Sequence, residues 1–361
     1  MFTDLQTIPG TADNGSLLIA GPCSAESRDQ VMATARRLAA AGVRVFRAGV
    51  WKPRTRPGGF EGVGLPALQW LADVKAETGM ITATEVATRD HLEAAVDAGV
   101  DIVWIGARTS ANPFAVQEIA DAIASTSEQP AVLVKNPVSP DLELWIGALQ
   151  RIYDAGVRRL GAIHRGFSTY GESKYRNPPH WSIPIELRRR LAGLPVICDP
   201  SHITGHADMV ASVARQAIDM GFDGLIIESH IEPCRALSDS AQQITPDQLK
   251  ALMADLAPRR GCVDSPTLDD LRRRIDEIDD ELLEVVARRM SIAREIGAYK
   301  RLNGMAVIQP DRYNTLMSRR ITAGTDIGLS ENFMRQLLAA LHEESVRHQI
   351  EDGKNDREIT E

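Results

Sequence analysis

The sequence predicts an α/β protein: a (β/α)8 barrel of the TIM type, followed by a small all-α domain of three helices that dimerises. Three observations point there. Eight short apolar runs rich in Val and Ile alternate with helical stretches from residue 17 to about residue 230, as parallel strands with crossover helices do. A polar or metal-binding residue ends or closely follows each run, so eight strands would feed one mouth at their C-terminal ends. Beyond residue 266 the apolar spacing becomes that of a long amphipathic helix.

The runs are Leu17–Gly21, Val43–Gly49, Met80–Val86, Asp101–Ala107, Pro130–Asn136, Arg159–Gly166, Pro195–Ser201 and Gly224–His230. A doubly wound sheet would show the same alternation. The barrel is preferred because Cys23, Arg47, Glu85, Arg108, Lys135, Arg165, His202 and Glu228 each fall at the end of a different run.

A chain of 361 residues exceeds what a single core usually organises. The expected division is a barrel over 1–258, a linker over 259–266, a helical domain over 267–352 and a polar tail over 353–361. Pro258-Arg259-Arg260-Gly261 and Ser265-Pro266 mark the linker. In the long helix Leu268, Leu271, Ile275, Ile278, Leu282, Val285, Ile292 and Ile296 recur at spacings of three and four, with one gap of seven. Thr267 with Asp270 starts it and Asn303-Gly304 stops it. Shorter helices are expected over Pro310–Ala323 and Ser330–Glu351. One long and two short helices enclose little core, so a homodimer through these helices is expected.

The net charge of −8 and pI near 5.6 argue against nucleic-acid binding. No apolar run is long enough for a bilayer, and Met1–Gly15 lacks a signal pattern. A cytoplasmic protein is expected. Cys23, Cys198, Cys234 and Cys262 show no close pairing, so disulfides are not expected; Cys198, inside an apolar run, reads as core.

Four potential metal ligands lie on separate loops: Cys23, His202, Glu228 and Asp239. A thiolate, an imidazole and two carboxylates suit Mn2+, Fe2+, Co2+ or Zn2+, and ligand type alone does not choose among them; Mn2+ is expected first. The same mouth gathers Arg47, Lys52, Arg54, Arg108, Lys135 and Arg165, an excess of cations in an acidic protein, which implies strongly anionic substrates. Glu85 either pairs with one of these cations or positions a ligand.

The segments Gly21-Pro22-Cys23-Ser24, Arg47 with Lys52-Pro53-Arg54-Thr55, Gly106-Ala107-Arg108, Asp199-Pro200-Ser201-His202 and Leu237-Ser238-Asp239 resemble the 3-deoxy-D-arabino-heptulosonate 7-phosphate (DAHP) synthase family, closest to its shorter-barrel branch. The resemblance covers residues 15 to 256. It implies condensation of phosphoenolpyruvate with erythrose 4-phosphate and release of phosphate. Metal ligation is implied for Cys23, His202, Glu228 and Asp239, and phosphoenolpyruvate binding for Arg47, Lys52, Arg108, Lys135 and Arg165. Arg54 and Thr55 would receive the erythrose phosphate. The related eight-carbon octulosonate phosphate synthases usually carry Lys-Ala-Asn-Arg where this chain has Lys52-Pro53-Arg54-Thr55. Two departures stand out: Arg56 replaces a common Ser, and His164 stands where many relatives have Glu, which bears on phosphate and water positioning. Lys52, Glu85 and His202 are each candidates for handling the water's proton.

In the long helix Arg289 and Lys300 are eleven residues apart, a rotation of about 20° beyond full turns, so they share a face. Arg289 falls in the apolar seam, seven residues from both Leu282 and Ile296. A charge there needs a partner, and the simplest is a buried salt bridge to Glu343 or Glu344. Arg272 is about 100° off that face, so only a second chain could bring it to the same ligand.

Residues 266 to 351 resemble the all-helical chorismate mutase family through Leu271-Arg272, Arg288-Arg289-Met290, Ile296-Gly297-Ala298-Tyr299-Lys300, Arg312, and Ser345 with Gln349. The likeness implies a site of Arg289, Lys300, Gln309, Arg312, Ser345 and Gln349, completed by Arg272 from a second chain, acting on chorismate to form prephenate. Gln309 and Tyr313 stand where some relatives carry acids. The expectation is a bifunctional enzyme whose barrel is inhibited by prephenate; the alternative keeps the helices as a regulatory binding module. A barrel that only binds is disfavoured by the intact set of metal ligands.

Overall fold

The computed structural model describes residues 2–52, 58–171, 173–256, 266–308 and 310–358. The expected linker lies largely outside them, as do Arg54, Thr55, Arg56, Cys262 and Gln309. Eight strands, β1 (Leu17–Gly21), β2 (Val45–Arg47), β3 (Ile81–Val86), β4 (Ile102–Ile105), β5 (Ala131–Lys135), β6 (Leu160–His164), β7 (Val196–Cys198) and β8 (Gly224–Glu228), pair in parallel in chain order, and β8 closes on β1. The helices of this unit are α1 (Arg28–Ala40), α2 (Leu65–Thr78), α3 (Arg89–Asp97), α4 (Pro113–Ala124), α5 (Leu142–Asp154), α6 (Ser182–Arg190), α7 (Pro200–Thr204), α8 (Ala207–Asp219) and α9 (Pro246–Asp255). Many start on local side-chain caps that satisfy free N–H groups of the first turn: Ser27, Thr88, Asn112, Asp141 and the Thr245 capping box.

Side chains alternate across a strand, and this period of two sorts the barrel residues. Ile19, Val45, Ala83, Trp104, Leu133, Ile163, Ile197 and Ile226 form a packed plug inside the barrel, sealed below by Ile8. Ala20, Phe46, Val134, Ala162 and Ile227 point outward against the helices. Two residues beyond the inner apolar residue, on the same inward face, come Arg47, Glu85, Lys135, Arg165, Asp199 and Glu228. The site is thus the top layer of the barrel's interior, with apolar layers beneath it.

His164 lies one residue off that face. It points into the helix layer, its ring 5.3–6.4 Å from those of Trp145, Phe167, Trp181 and Phe222. The departure at this position therefore concerns packing, not the positioning of phosphate or water at the mouth. Cys198 faces the same way and is buried in the core.

The chain divides into two compact units, Met1–Gly261 and Cys262–Glu361. The second holds α10 (Pro266–Leu302), α11 (Pro310–Asp326) and α12 (Glu331–Glu358). α12 continues well past residue 352, where a polar tail was expected to begin. Met290, Ala293 and Gly297, at i, i+3 and i+7, form the face of α10 that meets α12, with Met290 and Ala293 buried and a Cβ on Gly297 set to meet Gln349. The apolar row from Leu268 to Ile296 is a different face and lies exposed in the single chain. Among the described residues no helix is long and apolar enough to cross a membrane.

Candidate functional site

At the barrel mouth the ends of β1, β7 and β8 bring acids, a thiol and an imidazole together. The donor atoms of Cys23, Glu228 and Asp239 all lie within 4.8 Å of one another. His202, at the start of α7, joins them through Glu228, with Nε2 3.7 Å from Glu228 Oε1. Its Nδ1 lies 2.8 Å from Asp199 Oδ2, the arrangement of an imidazole oriented by a carboxylate. Burial holds the His202 pKa below the usual range, with Lys135 adding to this and Asp199 opposing it; the neutral ring is the form that binds metal.

Asp239 sits on left-handed backbone, with φ 49°. Such strain in a non-glycine residue is retained where the surroundings enforce it. Here Cys23 Sγ donates to Asp239 Oδ2 at 3.2 Å, Lys52 Nζ lies 3.1 Å from the same oxygen, and Arg176 Nη1 lies 3.2 Å from Oδ1. Lys52 Nζ also donates to Cys23 Sγ. Burial and the Glu228 carboxylate push the Cys23 thiol up, with Lys52 opposing. Burial works against the Lys52 charge, but Cys23, Glu228 and Asp239 more than offset it. An ammonium is thus drawn to the cluster of donors, and the cluster fits a divalent cation by the same electrostatics.

Around these donors stand the cations. Lys135 Nζ is 3.0 Å from Asp199 Oδ2 and Arg47 Nη2 is 3.2 Å from Glu228 Oε1, both pairs fully buried. Asp199 is held well below the ordinary carboxylate range: burial opposes this, but His202 and Lys135 prevail. Arg47 also leaves Nε and Nη1 buried without a hydrogen-bond partner, a state that an anion would relieve. Arg47 and Lys135 lie over the Trp104 ring, 4.8 and 5.8 Å from its centroid. Glu85, expected to pair with a cation or position a ligand, accepts from Trp104 Nε1 at 2.9 Å and favours the charge of Arg165. Arg165 donates to Asn177 Oδ1 at 2.7 Å, and Arg108 is exposed at the rim.

Several residues of this network were not singled out from the sequence. Gln242 Nε2 donates to Glu228 Oε2 at 2.7 Å, Cys23 N donates to Gln243 Oε1 at 3.0 Å, and Asn136 Oδ1 accepts from Arg165 N at 2.7 Å. Asp199 could have been found, as the acid that continues the inward alternation of β7. The amides of Asn136, Asn177, Gln242 and Gln243 carry no comparable signal.

In the helical unit Arg289 Nη1 donates to Leu341 O at 2.8 Å and to Ser345 Oγ. These are its partners in place of Glu343 or Glu344; Glu344 pairs with Arg347 and His348. Lys300 Nζ donates to Val307 O at 2.6 Å and to Gln349 Oε1 at 3.4 Å. Arg289, Lys300, Ser345 and Gln349 therefore share one surface, while Arg272 is paired with Asp269 and solvent-exposed on its own chain, and Arg312 is exposed. The His342 ring lies tilted against that of Tyr313, with centroids 4.4 Å apart. Its pKa is lowered by burial and then by Arg289 and Lys300.

A barrel whose mouth joins a thiol-imidazole-carboxylate cluster to buried cations defines a class: synthases and aldolases that act on phosphorylated small molecules. Residues 3–258 match the DAHP synthetase I family, and the chain belongs to it. Residues 271–350 match chorismate mutase type II. A phospho-2-dehydro-3-deoxyheptonate aldolase of Thermotoga maritima is 34% identical over 239 residues, 66% of this chain and 68% of the relative. A 2-dehydro-3-deoxyphosphooctonate aldolase of Aromatoleum aromaticum is 28% identical over 262 residues, 68% of this chain and 90% of the relative. The solved DAHP synthase of Thermotoga maritima superposes with a TM-score of 0.60 at 32% identity, covering 67% of this chain and 68% of that one. The chain is a bifunctional enzyme of aromatic biosynthesis, with a DAHP synthase domain and a chorismate mutase domain.

Proposed function

We propose that the barrel condenses phosphoenolpyruvate with erythrose 4-phosphate to DAHP and phosphate in a metal-dependent reaction, and that the helical unit converts chorismate to prephenate. The observation that carries the first half is the buried cation set, Arg47, Lys135 and Arg165, beside the close donors of Cys23, Glu228 and Asp239. Arg47, Lys135 and Arg165, with Arg108 at the rim, hold the phosphate and carboxylate of phosphoenolpyruvate; Arg54 and Thr55 receive the second phosphate. Cys23, His202, Glu228 and Asp239 would hold the divalent metal, Mn2+ first among the alternatives, which when bound would supply Lewis-acid polarisation of the aldehyde oxygen. The enol carbon then attacks the aldehyde carbon, and Lys52, kept charged by its acidic neighbours, delivers a proton to that oxygen. Water adds to the resulting cationic carbon and gives up a proton to Lys52, Glu85 or His202; the hemiketal then collapses to the ketone as its C–O bond to phosphate breaks, and the surrounding cations stabilise the departing phosphate.

In the helical unit Arg289 and Lys300 bind the carboxylates, and Gln349 stands by to donate to the ether oxygen as its bond breaks. A second chain's Arg272 completes the site in a homodimer. The exposed apolar row of α10 supports that dimer. Prephenate at this site inhibits the barrel, a coupling suggested by the fusion of an early pathway step to a later one.

Phosphate release from the two substrates, with and without chelator, tests the synthase in wild type and Cys23→Ala. Chelator and the substitution should each abolish release; metal-independent activity would refute the ligand assignment. Chorismate consumption should vanish in Arg289→Ala. A wild type that binds prephenate without consuming chorismate would make the helices a regulatory module only, and saturating prephenate that left the condensation rate unchanged would remove the feedback.

A further inference from the structure

Between β6 and α6 the chain crosses the mouth as a strap, and two of its residues touch both halves of the site. Asn177, 5% exposed, accepts from Arg165 Nη1 through Oδ1 at 2.7 Å and donates from Nδ2 to the backbone oxygen of His202 at 2.6 Å. One amide therefore joins a cation of the anion cradle to the backbone of a metal ligand. Next to it, Arg176 Nη1 reaches Asp239 Oδ1 at 3.2 Å and Gln242 Oε1 at 2.7 Å, and Gln242 passes the connection to Glu228. The strap is pinned by backbone bonds from Arg176 N to Thr204 O and from Asn177 N to Ile203 O, at 3.2 and 3.0 Å. It lies flush against the end of β6 because Gly166 has φ +75° and no side chain: a Cβ there would stand 2.1 Å from Asn177 O.

We propose that Asn177, with Arg176, is the positioning link between the anion cradle and the metal ligands, so that phosphoenolpyruvate and the metal each tighten the other's binding. The inference rests on the synthase reading of the barrel. Its chemical basis is the choice of an amide. Arg165 is buried, which is the main reason its guanidinium pKa falls to about 10; Asp199 opposes that fall, and the like charges of Arg176 and Arg108 add to it. A carboxylate at 177 would neutralise it permanently and compete with the substrate. Asn instead accepts from Arg165 without cancelling its charge and still has an N–H to hold His202. When an anion draws Arg165 into place, the amide moves with it and steadies the His202 loop, while Arg176 holds the carboxylate of Asp239 on the other side. Neither residue touches reacting atoms.

The test is the linkage itself, on the full-length protein. Free Mn2+ is followed by electron paramagnetic resonance during titration, with and without phosphoenolpyruvate. In wild type the substrate should tighten Mn2+ at least about tenfold, within the usual range of coupling between sites. In Asn177→Ala that factor should fall below about twofold, although Mn2+ alone still binds, because the coupling and not the ligand set is lost. Asn177→Asp should weaken phosphoenolpyruvate more than the alanine change does, which a packing role would not produce. Arg176→Ala, at a half-exposed position, should lose part of the coupling, and decides the matter with Asn177→Asp if Asn177→Ala does not fold. Full wild-type coupling in these variants, or none in wild type, overturns the proposal. Condensation by wild type is measured alongside: turnover with unchanged coupling in the variants removes the link alone, whereas no turnover and no Mn2+ binding removes the synthase reading and the link with it.

Discussion

In the barrel Arg47, Lys135, Asp199 and Glu228 are sealed from solvent and answer one another across the mouth. In the helical unit Arg289 is only partly buried and bonds to a carbonyl and a hydroxyl, while the longest apolar row, from Leu268 to Ile296, faces solvent. The difference follows from closure. A barrel folds its own walls around a site, so one chain can bury charge and pair it. The three helices of this chain leave their cations partly exposed, as the proposed pairing with a second chain would require.

The sharpest way to break this comparison is to charge the exposed seam. Ile275→Asp with Ile278→Asp should dissociate the dimer and lower chorismate consumption by more than about a thousandfold, since a second chain's cation and the packing of the site go together. Condensation by the barrel, whose site is built within its own unit, should persist. Sedimentation velocity with both activity assays checks this; a fully active monomeric mutase would mean that one chain holds a complete site.

Next come single cations. Lys135→Ala strands the buried Asp199 carboxylate with His202 alone, and should lower the barrel's unfolding free energy by about 3–5 kcal/mol, the usual penalty for breaking a buried pair. Arg289→Ala should scarcely move stability but should cut mutase kcat by about 100- to 1000-fold, as loss of a transition-state donor does. Urea unfolding and turnover, measured on both variants, give opposite patterns if the comparison holds.

A smaller effect separates the units by pH. Burial, and then Arg165, lower the His164 pKa to about 3. A histidine with a folded pKa below its unfolded one stays neutral in the native state while the unfolded chain takes up a proton. Its contribution to stability is therefore intact above about pH 6.5 and is lost progressively as pH falls towards 3. At pH 5 the loss should be about 2 kcal/mol. His164→Phe, in its ring of aromatic neighbours, should flatten that part of the stability–pH curve; an unchanged slope would place the acid sensitivity elsewhere.

Much of the barrel was legible because its period of two is strict. A Val- or Ile-rich run ending in Arg, Lys or Glu states both strand and mouth, and Arg47, Lys135 and Glu228 all lie at strand ends in the structure. His164 was linked to the mouth by its departure from the family pattern, but it neighbours Arg165 on β6, and neighbours on a strand face opposite ways. The seam of α10 was legible as apolar and lies exposed on the single chain; periodicity marks an apolar face but does not say what covers it. Asn177 and Gln242 were not legible at all. Loop amides join sites through three-dimensional proximity, and nothing in their local sequence distinguishes them from solvated surface.

The finest distinction concerns Gly297. It lets α10 approach α12 so closely that a Cβ would stand 2.9 Å from Gln349 Cα and 3.1 Å from its Cβ and Cγ. Two effects of Gly297→Ala oppose each other. Alanine favours a helix interior over glycine by about 1 kcal/mol, whereas overpacking a close contact costs about 1–3 kcal/mol. Because the obstructing atoms include backbone, the second should prevail, leaving the helical unit about 1 kcal/mol less stable. The displaced Gln349 would also loosen its bond from Lys300 and the bond from Arg301 Nη1 to its carbonyl, now 3.4 and 2.9 Å. Mutase turnover should therefore fall more than stability does, with condensation unchanged. If thermal unfolding instead showed a more stable unit with unaltered turnover, the spacing of α10 and α12 would not be what tunes this site.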